Sequence, residues 1–282
     1  MKTFLSRVDI EEAKAKFPTL STEQIKSRVP SVFTETKNPN MSEHYVHIPT
    51  SRLLNDLTVL GWECIEAKEI KRQKKAAARD GYQKHMLRFR NYEYEIEGGL
   101  FPEIIITNSH EGTSQFVFRA GLYRFVCSNG LVIADAEFGQ AKVRHMGYSF
   151  EVVKAAADKI LECIPLVVDK IVTLQGINMT DEQMAEYALA AQALRWESNP
   201  ESANLGYVDV DSLLEAKRKE DEGNNLWVVY NRIQEKLMNG GYDNHKGRTV
   251  RKVKNFNQQI QLNEDLWKLT EKVINGESLI MA

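Results

Sequence analysis

The sequence predicts an α+β protein: a mostly antiparallel sheet with a basic hairpin, followed by a helical C-terminal half. Two patterns and one bulk property carry that expectation. Between residues 62 and 138, apolar and polar residues alternate in runs broken by turn residues, as half-buried strands do. From Ser149 onward the spacing becomes helical, with capping residues at the starts and glycines at the stops. The bulk composition, 43% hydrophobic and 27% charged over 282 residues, is that of a globular chain and excludes a disordered or fibrous one.

Taken in order, residues 1–48 read as an N-terminal arm punctuated by Pro18, Pro30 and Pro39, with a capping box at Ser21–Gln24 opening a short helix. Residues 49–175 are expected to form the sheet core with flanking helices, and 176–282 a helical region packed on it. Leu53, Leu54, Leu57 and Leu60 recur at helical spacing, and Gly61 supplies the stop. WECIEAKEIKR from Trp62 reads as a strand, residues 73–81 as a charged turn, and HMLRFRNYEYEI from His85 as the returning strand. In that strand Met86 and Leu87 are expected to face the core and Arg88 and Arg90 solvent. Residues 103–108, 114–128 and 131–138 predict further strands, joined by a turn at Asn108–Ser114 and a type I′ turn at Asn129-Gly130. Gly121, inside a strand, predicts a bulge or a close backbone approach.

In the second half, Ser149 caps a long run that Pro165 should kink or split. Thr180 and Gln183 form a second capping box, residues 226–238 end at Gly240-Gly241, and a last helix begins at Asn263 and stops before Gly276.

No stretch approaches the roughly 18 apolar residues of a membrane span. The N-terminal MKTFLSRVDIEEAKAKF lacks the apolar core of a signal peptide. Cys64, Cys127 and Cys163 are odd in number and widely spaced, so neither a disulfide framework nor a CxxC metal site is expected. These features predict a cytoplasmic protein with no membrane association. There is no phosphate-binding GxxxxGK[ST], no GxSxG and no HExxH, so no catalytic residues, metal or cofactor are expected. The His44/His47 pair reads as a surface or packing feature, and Cys127 with His145 as inert. The minor alternative is a metal-dependent nuclease using Glu63, Glu66 and Lys68 with Asp56 upstream, although such triplets arise by chance in a Glu- and Lys-rich chain.

Charge is unevenly placed. Lys68, Lys71, Arg72, Lys74, Lys75, Arg79, Lys84, Arg88 and Arg90 are opposed only by Glu69 and Asp80. A second basic run, from His245 to Lys254, holds Lys246, Arg248, Arg251, Lys252 and Lys254 and no acid. In a chain of net charge −2, two basic stripes on an acidic remainder form a nucleic-acid footprint, because phosphates follow local potential. Arg119 and Arg124, pointing out of the sheet, join these as candidate phosphate contacts.

The run ITNSHEGTS…FRAGLYRFVCSNGLV resembles the signature of a phage- and plasmid-borne family, domain of unknown function 932. GNNLWVVYNRIQEKLMNGG, the basic GRTVRKVK and LNEDLWKL are similar to that family's closing pattern, and the likeness covers roughly residues 45–275. Glu111 stands where the family is expected to carry Asp, a neutral change in a turn. The resemblance implies a cytoplasmic protein of mobile elements, found beside replication, recombination and defence-evasion genes. A helix ending at Gly61-Trp62, a strand, a basic hairpin, more strands and a long helix is also similar in topology to single-strand annealing recombinases, which assemble as rings. By that analogy Tyr82, Phe89 and Tyr92 would stack bases beside the hairpin cations, and the chain would form a homo-oligomer.

The leading expectation is therefore a non-enzymatic protein of a phage or plasmid that binds single-stranded DNA or another nucleic acid, in recombination or replication. The alternative is a protein-binding inhibitor of a host defence or repair complex, with DVDSLLEAKRKEDEG at 209–223 as an acidic docking face.

Overall fold

The computed structural model describes residues 7–41, 43, 47–70, 81–94, 100–111, 116–124, 129–132, 140–143, 149–196 and 209–279. The chain divides into two compact units, residues 1–164 and 165–282, so the boundary expected near 175 falls at Pro165.

In the first unit, α1 (Arg7–Lys16), α2 (Thr22–Arg28), a 3-10 turn (Pro30–Phe33) and α3 (Thr50–Val59) precede the sheet. Strands β1 (Glu63–Glu69), β2 (His85–Arg90), β3 (Leu100–Asn108), β4 (Phe116–Arg124), β5 (Asn129–Val132) and β6 (Gln140–Val143) then pair antiparallel. The order is β1-β2-β3-β4, and the far edge of β4 is shared, with β6 along Phe116–Arg119 and β5 along Gly121–Arg124. Gly121 thus sits where β4 changes partner; its register with Glu103 on β3 is regular, with no bulge. The bulge lies in β1, between Cys64 and Glu66.

The N-terminal segment is no free arm. The capping box forms as its sequence predicts, with Gln24 N donating to Ser21 Oγ at 3.2 Å and Ser21 N to Gln24 Oε1 at 2.9 Å. Leu20, Ile25, Val29 and Val32 are buried, and Leu20 N donates to Cys64 O of β1 at 2.8 Å. Their apolar area is removed from water together with α3's Leu53, Leu54 and Leu57, which is what holds this segment to the sheet unit.

The long helix α4 (Phe150–Gly176) starts where expected, Val152 N donating to Ser149 Oγ at 3.4 Å. It is continuous through Pro165 and not split. Buried Ile160 and Cys163 before the proline, and Val167 and Ile171 after it, keep the helical course despite the lost backbone bond.

In the second unit, α5 (Asp181–Trp196), α6 (Val210–Leu214), a 3-10 turn (Lys219–Asp221), α7 (Leu226–Asn239) and α8 (Phe256–Ile274) follow. Thr180 and Gln183 cap α5 reciprocally, at 2.9 and 3.3 Å. The last helix begins seven residues before the expected Asn263, because Asn255 is its true cap, accepting from Asn257 N at 2.9 Å and Gln258 N at 3.4 Å. Asn263 is instead a buried interior position. Its Oδ1 takes Gln234 Nε2 of α7 at 2.6 Å and its Nδ2 donates to Gln259 O at 2.8 Å, so both amide ends are satisfied away from water.

Gly240 closes α7 at φ 62°. A Cβ there would stand 2.2 Å from the carbonyl oxygen of Val250. Gly240→Ala is therefore expected to cost about 2–3 kcal/mol, from left-handed strain plus displacement of the 241–250 strand pair. The urea midpoint reports it, and an unchanged midpoint would refute the close approach.

Candidate functional site

The candidate phosphate contacts among the described residues fall into two groups. On the sheet, register decides which are available. Lys68, Arg88 and Arg90 of β1 and β2 lie on one face with Glu66 and with Glu103 of β3, since Glu66 pairs with Arg88, Lys68 with Met86 and Arg90 with Glu103. Glu103 is fully buried and gathers both arginines: Arg88 Nη1 at 2.9 Å, Arg90 Nη2 at 2.7 Å and Arg90 Nε at 3.1 Å. Arg90 is 1% exposed, with its guanidinium carbon 3.3 Å from the centroid of Tyr123 and Nη1 on Tyr92 Oη at 3.2 Å. The expected solvent wall of β2 is thus a correction. Met86 and Leu87 point to opposite faces and both are buried, and Arg90 can be buried because a carboxylate on the next strand neutralises it.

Arg124 is likewise buried, and Lys68 pairs with Glu66. Arg119 is half-buried and donates to Thr107 Oγ1 at 3.0 Å. Lys84 is half-buried; burial first and the nearby Arg119 second hold its ammonium below the usual lysine range. Of the rings expected to stack bases, Phe89 and Tyr92 are core residues and Tyr82 alone is partly exposed. Lys71, Arg72, Lys74, Lys75 and Arg79 lie outside the described residues, as do His44, Cys127 and His145. Glu63 and Glu66 do not form the nuclease constellation with Asp56. Glu63 holds Lys14 at 2.6 Å and Thr19, Glu66 holds Lys68 and Arg88, and among the described residues no three ligand groups converge on a metal position.

The second group sits on an ordered hairpin of the second unit. Gly241 N to Val250 O (2.9 Å), Val250 N to Tyr242 O (2.8 Å) and Asn244 N to Arg248 O (2.9 Å) close it. At its tip Asn244 Oδ1 accepts from Lys246 N at 3.0 Å and Arg248 N at 2.9 Å, an Asx-type turn that tolerates Gly247 at φ 64°. Its far end is fixed by Val253 N on Met238 O at 2.9 Å and by Arg195 Nη2 of α5 on Arg251 O at 2.5 Å. Lys246, Arg248, Arg251, Lys252 and Lys254 are all exposed on this frame, whereas Val253 is buried beneath it.

This basic hairpin lies within the segment matched by a family model, described as domain of unknown function (DUF932), over residues 40–267. The chain belongs to the DUF932 family. Two relatives from Escherichia coli (strain K12) are similar along nearly the whole length: UPF0380 protein YafZ, 35% identical, and UPF0380 protein YfjQ, 34% identical, each alignment covering 90% of this chain and 92% of the relative. No solved structure matches it. In this DUF932 chain the acidic 209–223 stretch is α-helical only at α6, with a 3-10 turn at Lys219–Asp221, and part of its charge is internal. Arg218 bridges Glu235 in bidentate fashion at 2.8 Å twice and reaches Asp221 at 2.6 Å.

Sequence reasoning missed a polar cluster on the opposite face of the sheet, where β1, β2 and β3 carry Glu69, His85 and Asn108. His85 is flanked by Ser31 and Thr50, and the rings of His110 and His47 follow at centroid spacings of 5.1 and 4.5 Å. Only the density of polar residues in Asn108-Ser109-His110 hinted at it.

Proposed function

We propose that the protein is a non-catalytic nucleic-acid-binding protein of a mobile element, contacting backbone phosphates through Lys246, Arg248, Arg251, Lys252 and Lys254. The observation that supports this most is their presentation: five exposed cations on a hairpin braced by backbone bonds at its base, tip and far end. Such a frame lets the side chains neutralise phosphates without ordering a loop first. Asp243, the acid at its base, takes Thr249 Oγ1 at 2.8 Å. Residues 243–254 contain no Phe, Tyr or Trp, so phosphate contacts carry most of this binding and little sequence preference is expected.

The test is fluorescence anisotropy with a labelled single strand of about 40 nucleotides at about 50 and 200 mM salt, beside a duplex of equal length. Expected is saturable binding that weakens steeply with salt. The variant with all five cations replaced by Ala should lose at least about tenfold in affinity, and its log–log salt slope should flatten by up to about 3.5, at roughly 0.7 per phosphate released. A variant that binds as tightly as the parent would remove the hairpin from the interface.

A further inference from the structure

We propose that the His47–His110–His85 stack is a pH-sensitive clamp that fastens the turn after β3 to the N-terminus of α3. The hydrogen bonds of His85 specify its state. Its Nδ1 lies 3.0 Å from the carbonyl oxygen of Gln83, which can only accept, so Nδ1 carries the proton. Thr50 Oγ1, the first residue of α3, lies 2.8 Å from Nε2 and itself receives Asn108 Nδ2 at 2.9 Å. In the neutral ring Nε2 is an acceptor, so the Thr50 hydroxyl donates to it. On the other side Ser31 Oγ lies 3.1 Å from Nδ1 and donates to Glu69 Oε2 at 2.8 Å. The donors therefore run in one direction, Asn108 to Thr50 to His85, and Ser31 to Glu69.

A proton added at Nε2 opposes that direction. Two donors would face each other across 2.8 Å, and the Thr50 hydroxyl would have to turn away from its buried acceptor. The new charge would arise in a ring with no exposed surface, beside a second imidazole, and His47 beyond it is only half-buried. The titratable groups around the ring are His47 and His110 in the stack, Glu69 one hydroxyl away, and Glu111, next to His110 in the turn. Among the described residues Glu69 is the carboxylate linked to the ring, through Ser31. Burial pushes His85 down to about 4, and burial lowers His47 as well. The closed clamp thus holds His85 neutral, and acid favours whatever opening lets it charge.

The size follows from linkage. A ring that titrates near its ordinary 6.5 when open and at about 4 when closed raises the open population about 30-fold between pH 7.5 and pH 5. Amide hydrogen exchange on the full chain, corrected for intrinsic rates, reads it at His110, whose N–H bonds Tyr82 O at 3.2 Å, with Ile104–Ile106 in the strand core as reference. Expected is a rise near 30-fold at His110, at a protection well below that of the reference amides, which open only with the whole unit, and its loss in His85→Gln. Equal protection at both places, or no rise at His110, would overturn the clamp. If the variant does not fold, ¹⁵N imidazole spectra of the parent decide. A neutral Nδ1–H His85 at pH 5 wherever the turn remains protected supports the proposal, and an imidazolium in the protected form refutes it.

Discussion

Glu103→Gln is expected to destabilise the sheet unit by about 3–5 kcal/mol, the cost of leaving a buried charge without its partner. Glu103 lies on β3, whose described residues are buried on both faces, and its two oxygens receive all three short bonds from Arg88 and Arg90. Arg88 retains Glu66, whose Oε2 is 3.3 Å from its Nε. Among the described residues Arg90 retains the Tyr92 hydroxyl and the faces of Phe17, Tyr92 and Tyr123. Aromatic faces attract a guanidinium but do not replace a carboxylate, so most of the penalty falls on Arg90. Replacing both partners with apolar residues, Arg90→Met with Glu103→Leu, should cost less than Glu103→Gln alone, because no charge is left stranded. Urea unfolding of the three chains settles this. A Glu103→Gln loss below about 1 kcal/mol would mean that water reaches Arg90 and the cluster is not sealed.

Where sequence reading succeeded and failed follows the range of the interactions. Capping boxes at Ser21–Gln24 and Thr180–Gln183 and the Gly240 stop are satisfied within three or four residues, and the structure places all three as their sequences predict. The second basic run was legible for the same reason, its five cations falling between positions 246 and 254, whereas its closure into an ordered hairpin was not. Arg90 was misplaced because its partner is thirteen residues away and becomes visible only once the β2–β3 register is known. Asn129-Gly130 has the composition of a type I′ turn, yet both residues lie in β5, opposite Arg124 and Tyr123. Strand pairing outweighed the local preference and moved the connection to residues 125–128, outside the described set. The imidazole cluster is assembled from the 3-10 turn, the start of α3 and three strand ends, with Thr50 and Asn108 separated by 58 positions. No periodicity in one segment announces such a site.

The same cluster makes global stability depend on acid in a defined window. In the unfolded chain His85 titrates near 6.5, whereas in the folded chain burial holds it at about 4. Between those values the unfolded state binds the extra proton, so unfolding becomes easier as pH falls, and the contribution is complete below about 4. The difference corresponds to about 3 kcal/mol, at roughly 1.4 kcal/mol for each pKa unit. Above about 6.5 the ring is neutral in both states and adds no pH dependence. Carboxylates also lose their pairing in acid, so the wild-type slope alone does not isolate the imidazole. The comparison with His85→Gln does. The variant should begin less stable at neutral pH, having lost a fully hydrogen-bonded buried ring, and its stability should fall less between pH 6.5 and 4. Urea midpoints for both chains across that range measure the difference in slope directly. Parallel curves would show that His85 takes up its proton without leaving the fold, and would place the acid sensitivity of the protein on its carboxylates instead.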